Sequence, residues 1–262
     1  MRIPSRYKTK FPRSFNVLTR QTAFSLCAMI SLLAVGAQAQ APITAAPRAL
    51  MSTDAGIGWQ AEANLQIGSR EFNAASTLLE TDLRIISARV GFDLLPFLQP
   101  WLEAGTSKAD RDDFDGENGL FAGAGVRAEL LQWVLSGNPS LPRKRTLTLG
   151  GEAGFRSYES NSAEADFNWN EFEFVPGVTY SNNQLGNAEW IPYRPIETML
   201  HGGLVFSTID GEFGGSDVEG NRNFAFRLGA TLLWQNAITT KLSGTFFGDK
   251  DRLVSLGLGY QF

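Results

Sequence analysis

The stretch VSLGLGYQF, residues 254–262, alternates apolar with small or polar residues at every second place. Val254, Leu256, Leu258, Tyr260 and Phe262 share one face; Leu253, Ser255, Gly257, Gly259 and Gln261 share the other. Two is the side-chain period of an extended chain, so this is a β-strand with one apolar face. The pattern returns upstream. "IGWQAEANLQIG" sets Ile57, Trp59, Ala61, Ala63, Leu65 and Ile67 against Gly58, Gln60, Glu62, Asn64 and Gln66. "LFAGAGVRAEL" (120–130) and "FAFRLGATLLW" (224–234) alternate in the same way. Less regular stretches near 83–94, 99–107, 146–158, 168–180, 195–207 and 238–247 bring the count to ten.

The first 39 residues are of another kind. Arg2, Arg6, Lys8, Lys10, Arg13 and Arg20 precede the apolar run "TAFSLCAMISLLAV" (22–35), and Ala37-Gln38-Ala39 follows. A basic segment, a short apolar core and a small-residue cleavage site are the features of an export signal. The run falls short of the roughly 20 residues that span a bilayer. Residues 1–39 are therefore expected to leave as a signal peptide, with 40–55 as a flexible lead and 56–262 as the folded domain. Removing the six basic residues from 23 Lys and Arg leaves 17 against 27 Asp and Glu, a formal charge of −10. That balance disfavours nucleic acid as a partner. The only cysteine, Cys27, lies in the signal, so no disulfide supports the exported domain.

Ten alternating stretches can close on themselves as a sandwich in water or a barrel in a membrane. Several connections are short, such as "LLPFLQP" (94–100) and "QNA" (235–237). Between them come longer polar segments: "SREFNAASTLLETD" (69–82), "SKADRDDFDGENG" (107–119), "ESNSAEADFNWN" (159–170) and "STIDGEFGGSDVEGNRN" (207–223). Short turns on one side and long loops on the other are the plan of an outer-membrane barrel. Residues 132–145 and 181–194 depart from it, being long where turns are expected. Glycine crowds the non-apolar face (Gly123, Gly125, Gly154, Gly229, Gly257), which suits a filled lumen and would only weaken a solvent-facing sheet. The expected fold is all-β: an antiparallel up-and-down transmembrane barrel of about ten strands, with eight or twelve also possible.

The ending Ser255-x-Gly257-x-x-Tyr260-x-Phe262 resembles the C-terminal assembly signal of bacterial outer-membrane β-barrels. In architecture the chain resembles small members of that class, such as the OmpA membrane domain. The resemblance implies a cell envelope with two membranes, contact with outer-membrane lipid and lipopolysaccharide, and recognition by the barrel-assembly machinery. It also implies that Tyr260 and Phe262 sit in the periplasmic aromatic girdle.

The non-apolar face carries charges at similar depth. Glu62, Arg89, Glu103, Arg127 and Glu152 alternate in sign on the first five stretches, and Glu173, His201, Arg227 and Lys241 follow on the next four. Opposite charges on neighbouring strands stabilise one another. On this threading Arg89 lies between Glu62 and Glu103, and Arg127 between Glu103 and Glu152, so loss of Glu103 is expected to strand two cations. Such a set either fills the lumen or forms the constriction of a narrow porin-like channel.

A hydrolase needs more than this. His201 is the only histidine, Asp210 lies nine residues on, about 30 Å along a strand, and no serine adjoins it. No calcium-loop spacing is met around Gly116, where Arg111 stands at a ligand position. No catalytic residue, metal or cofactor is expected. The expected function is a non-enzymatic scaffold or surface-interaction barrel with an unidentified extracellular ligand; a narrow channel, a hydrolase and a soluble secreted β protein are the alternatives.

Overall fold

The structure, a computed structural model, describes residues 58–74, 77–95, 97–111, 114–136, 145–162, 165–183, 195–234 and 237–262. The expected signal and lead fall outside these residues, as do the connections 137–144 and 184–194.

Twelve strands follow in chain order: β1 Trp59–Ala74, β2 Thr77–Phe92, β3 Leu98–Arg111, β4 Phe114–Asp115, β5 Gly119–Ser136 and β6 Arg145–Asn161. Then come β7 Asp166–Asn183, β8 Pro195–Phe213, β9 Ser216–Gly220, β10 Phe224–Trp234, β11 Ile238–Phe246 and β12 Arg252–Gln261. Ten of them form a closed antiparallel barrel, with β4 and β9 as short additions. The last strand closes on the first, Gln60 opposite Gln261 through to Ser69 opposite Arg252. The Phe262 amide adds a hydrogen bond to the Trp59 carbonyl at 2.9 Å. The end holding Trp59 and Phe262 is termed lower, the opposite end upper.

Along the lower part of each strand the alternation runs apolar out, polar in. Ile67, Ile86, Leu102, Leu120, Phe155, Phe174, Leu204, Phe226, Leu242 and Leu256 all point outward and are exposed. At the lower rim Trp59 contacts Phe92 (5.3 Å) and Tyr260 contacts Phe262 (4.9 Å).

The polar segments expected as loops are largely strand. The β1–β2 hairpin runs unbroken from Arg70 paired with Thr81 to Ala74 paired with Thr77. Strands of 16–19 residues exceed the 9–11 that cross a bilayer. What changes up there is the sense of the alternation. Outward positions become polar (Glu80, Asp82, Asn168, Asp210), while inward ones become apolar: Phe72, Leu83, Ile85, Phe167, Trp169 and Ile209 are all buried. The same strand is built for lipid below and water above. A search for one apolar face sees that reversal as the end of a strand.

A second closure narrows the upper half. Gly214 and Gly215, both with positive φ (56° and 84°), make a two-residue hairpin that a side chain would strain. It turns β9 back along β8 and onto β1, with Phe72 opposite Gly220 and Ala74 opposite Val218. The upper ring thus bypasses β10, β11 and β12. A barrel of about eight strands has an interior that side chains fill, and here they do. Tyr158 stacks on Trp169 (4.7 Å, 4°), Trp169 on Phe167 (4.6 Å), and Phe121 and Phe72 complete the layer at 5.0 and 5.2 Å.

Candidate functional site

Below the aromatic core the lumen is polar and holds a cavity of about 240 Å³. Its lining reaches from Gln60, Gly91 and Gln261 at the lower end to Tyr158 and Glu171 beneath the core.

Trp101 on β3 crosses the lumen at mid-height. It fits because two facing positions lack side chains: a Cβ on Gly125 would lie 2.3 Å from its ring and one on Gly154 2.5 Å. Its faces carry cations, with the Arg89 guanidinium 4.1 Å and that of Arg156 5.2 Å from the ring. Around it the three arginines Arg89, Arg156 and Arg227 meet the three carboxylates of Glu103, Glu152 and Glu173. Arg89 bridges Glu103 (2.9 Å) and Glu152 (3.1 Å). Arg156 lies between Glu103, Glu152 and Glu173 at 3.6, 3.5 and 3.3 Å. Arg227 grips Glu173 with two nitrogens, at 3.0 and 2.7 Å, and Ser87 donates to Glu103 at 2.6 Å. Charges taken out of water need such dense pairing, because a lone one costs several kcal/mol.

The nine sequence-predicted residues all line the lumen, but they pair only in part as threaded: Arg89 stands opposite both Glu62 and Glu103 and bridges Glu103. The ion pair of Glu62 is with Lys241, at 3.6 Å, rather than with Arg89. Arg127 stands opposite Glu152 in register but bridges neither it nor Glu103. Its ion pair is with Glu129, two residues along its own strand, at 3.8 Å. The place assigned to it is taken by Arg156. Parity alone would have found that residue and Trp101, since Glu152, Gly154, Arg156 and Tyr158 share a face, as do Gln99, Trp101 and Glu103. A one-charge-per-strand count passed over them. Backbone register sets which strands adjoin; long arginine side chains then choose partners by reach, and Arg89 joins Glu152 across two intervening strands.

His201 lies against Gly229 on the neighbouring strand. Among the described residues it hydrogen-bonds to neither a carboxylate nor a hydroxyl. No group of three or more His, Cys, Asp or Glu suited to a metal occurs among them. Ser207 donates to Glu171 at 2.5 Å, as does the Tyr158 hydroxyl at 3.1 Å, with no imidazole alongside. The arrangement neutralises charge and braces strands.

A second polar cluster closes the top of the short strands. Arg70 lies over the Phe247 ring (3.5 Å), 3.6 Å from Asp251 and 3.5 Å from Glu171. Asp251, in the β11–β12 turn, is fully buried. Burial pushes its carboxyl up to about 6, with Arg70 opposing. A carboxyl raised on folding binds its proton more tightly in the folded state, so stability rises as pH falls through 6 towards the unfolded value near 4. Urea unfolding of the detergent-refolded protein should therefore gain about 1–2 kcal/mol between pH 6.5 and 4.5 relative to Asp251→Asn. Equal pH slopes for the two proteins would refute this.

No known family and no curated protein matches the chain. Solved structures of similar fold include the outer membrane protease OmpT from Escherichia coli (11% identity, 80% of this chain and 98% of that one, TM-score 0.38). Others are the translocator domain of autotransporter NalP from Neisseria meningitidis (12%, 93% and 97%, 0.36) and an outer membrane channel from Pseudomonas putida F1 (11%, 85% and 100%, 0.38). The fold is a closed antiparallel β-barrel with an exposed outward apolar band. At these identities the likeness extends to fold alone.

Proposed function

We propose that this protein is a closed, non-enzymatic barrel of a bacterial outer membrane, a scaffold that presents its upper half to the outside as an interaction surface. The observation that carries this reading is the aromatic core: Phe72, Phe121, Tyr158, Phe167 and Trp169, each no more than 3% exposed, occupy the upper lumen where a pore would run. In this reading both ends of the barrel chain face the periplasm, the lower apolar band lies in lipid, and the upper strands stand clear of it. Tyr260 and Phe262, paired at the lower rim, are the girdle end of an assembly signal whose Ser255 and Gly257 face the lumen. The charge belt of Glu103, Glu152, Glu173, Arg89, Arg156 and Arg227 then acts as a lock between strands.

The cavity beneath the core supports one other reading, a narrow channel. To conduct, ions would have to pass the stack of Tyr158, Trp169 and Phe167. Planar-bilayer recording of the refolded protein separates the two. The scaffold reading expects no stable unitary conductance in 1 M KCl; regular conductance steps would overturn it in favour of the channel.

A further inference from the structure

We infer that the outer face of β12, β1, β2 and β3 is a docking site for a phosphate-bearing lipid of the outer leaflet, held by Arg84 and Arg252; this rests on the membrane reading above. The first outward position above the apolar band is Arg252 on β12, Ser69 on β1, Arg84 on β2 and Lys108 on β3. Register puts them in two adjacent outward rows: Arg252, Ser69 and Asp82 in the upper one, and Val254, Ile67, Arg84 and Lys108 in the row below. On β6, β7 and β8 the corresponding positions are Ser157, Asn170 and Thr208. The cations therefore occupy one sector and not a uniform belt.

Two of the three are uncommitted. Lys108 is held by Asp110 and Asp115, each at 3.1 Å. Arg84 and Arg252 are exposed and, among the described residues, neither forms an ion pair or side-chain hydrogen bond. They stand two strands and about two residues apart, on the order of 12 Å between Cα atoms. Val254 and Leu256 below Arg252, Ile86 below Arg84 and Ile67 level with Arg84 on the strand between them offer exposed apolar surface. A guanidinium suits phosphate oxygens, which it can meet with two parallel hydrogen bonds. Cations above and apolar surface below match a headgroup joined to acyl chains, whereas a free anion would make no use of the lower part.

The test uses the delipidated, refolded full-length barrel in neutral detergent, with native mass spectrometry counting bound phosphatidic acid and, separately, phosphatidylcholine. Folding of every variant is checked by heat-modifiable gel mobility, and conductance is read in parallel, so failure of the scaffold reading registers separately. The expected result is preferential retention of phosphatidic acid. Arg84→Gln with Arg252→Gln should weaken it roughly 20-fold, and Lys250→Gln, whose lysine is paired with Glu80 at 3.1 Å, should leave it unchanged. Equal retention of the two lipids, or of phosphatidic acid by wild type and the double variant, would overturn the inference. Displacement of the lipid by millimolar inorganic phosphate would also overturn it, since the site would then be one for a free anion.

Discussion

Trp169→Ala should lower the unfolding free energy of the barrel by about 3–5 kcal/mol, the usual range for truncating a buried large aromatic. The indole is 2% exposed and stacked between Tyr158 and Phe167, with Phe72 against its edge at 5.9 Å. These residues come from β1, β6 and β7, and no neighbour on its own can close the space left behind. The lipid-facing Phe172, on the same strand and 37% exposed, supplies the comparison. Its truncation leaves no internal cavity, because lipid or detergent fills the gap, so Phe172→Ala should cost clearly less. Urea midpoints in one detergent, with both alanine variants beside wild type, read the difference. If Trp169→Ala costs under 1 kcal/mol, or no more than Phe172→Ala, the upper lumen is not a packed core, and the main support for the closed barrel is lost.

The second large effect is expected at Glu173. Glu173→Gln keeps the shape of the side chain and removes the only carboxylate that Arg227 contacts among the described residues. Arg156 is better insured, because Glu103 and Glu152 remain beside it. Removing one partner of a buried pair costs about 3–5 kcal/mol, and removing both costs less because no lone charge remains. Glu173→Gln should thus be the severe single variant and the double variant with Arg227→Gln the milder, with coupling of about 1–3 kcal/mol in a double-mutant cycle. Glu103→Gln should cost less than Glu173→Gln, contrary to the threading, since Arg89 and Arg156 both retain Glu152. A coupling energy near zero would mean that lumen water solvates the orphaned Arg227, the behaviour of a hydrated pore.

The sequence by itself was enough for the class of fold, the set of ten barrel strands, and the facing of most residues in the lower halves of the most regular ones, as far as the bulges near Leu131 on β5 and Trp234 on β10, which shift the parity. Those follow from a local rule: successive side chains point to opposite faces, and lipid demands apolar residues on one of them. The same rule applied to inward parity placed Glu62, Arg89, Glu103, Glu152, Glu173 and Arg227 in the lumen. Three things came only with the tertiary structure. The upper strands read as loops because their outward residues meet water and their inward residues meet each other, so the alternation reverses its sense without a break in the chain. The turn of β9 onto β1 joins residues about 150 positions apart, and no local pattern encodes a contact between segments so distant. The partners of the lumen charges were decided by reach and room: a tryptophan across the lumen, admitted by Gly125 and Gly154, holds Arg89 and Arg156 against its ring, and Arg127 is left to Glu129. Alternation is a property of the chain, whereas pairing in a lumen is a property of the space that the closed sheet encloses.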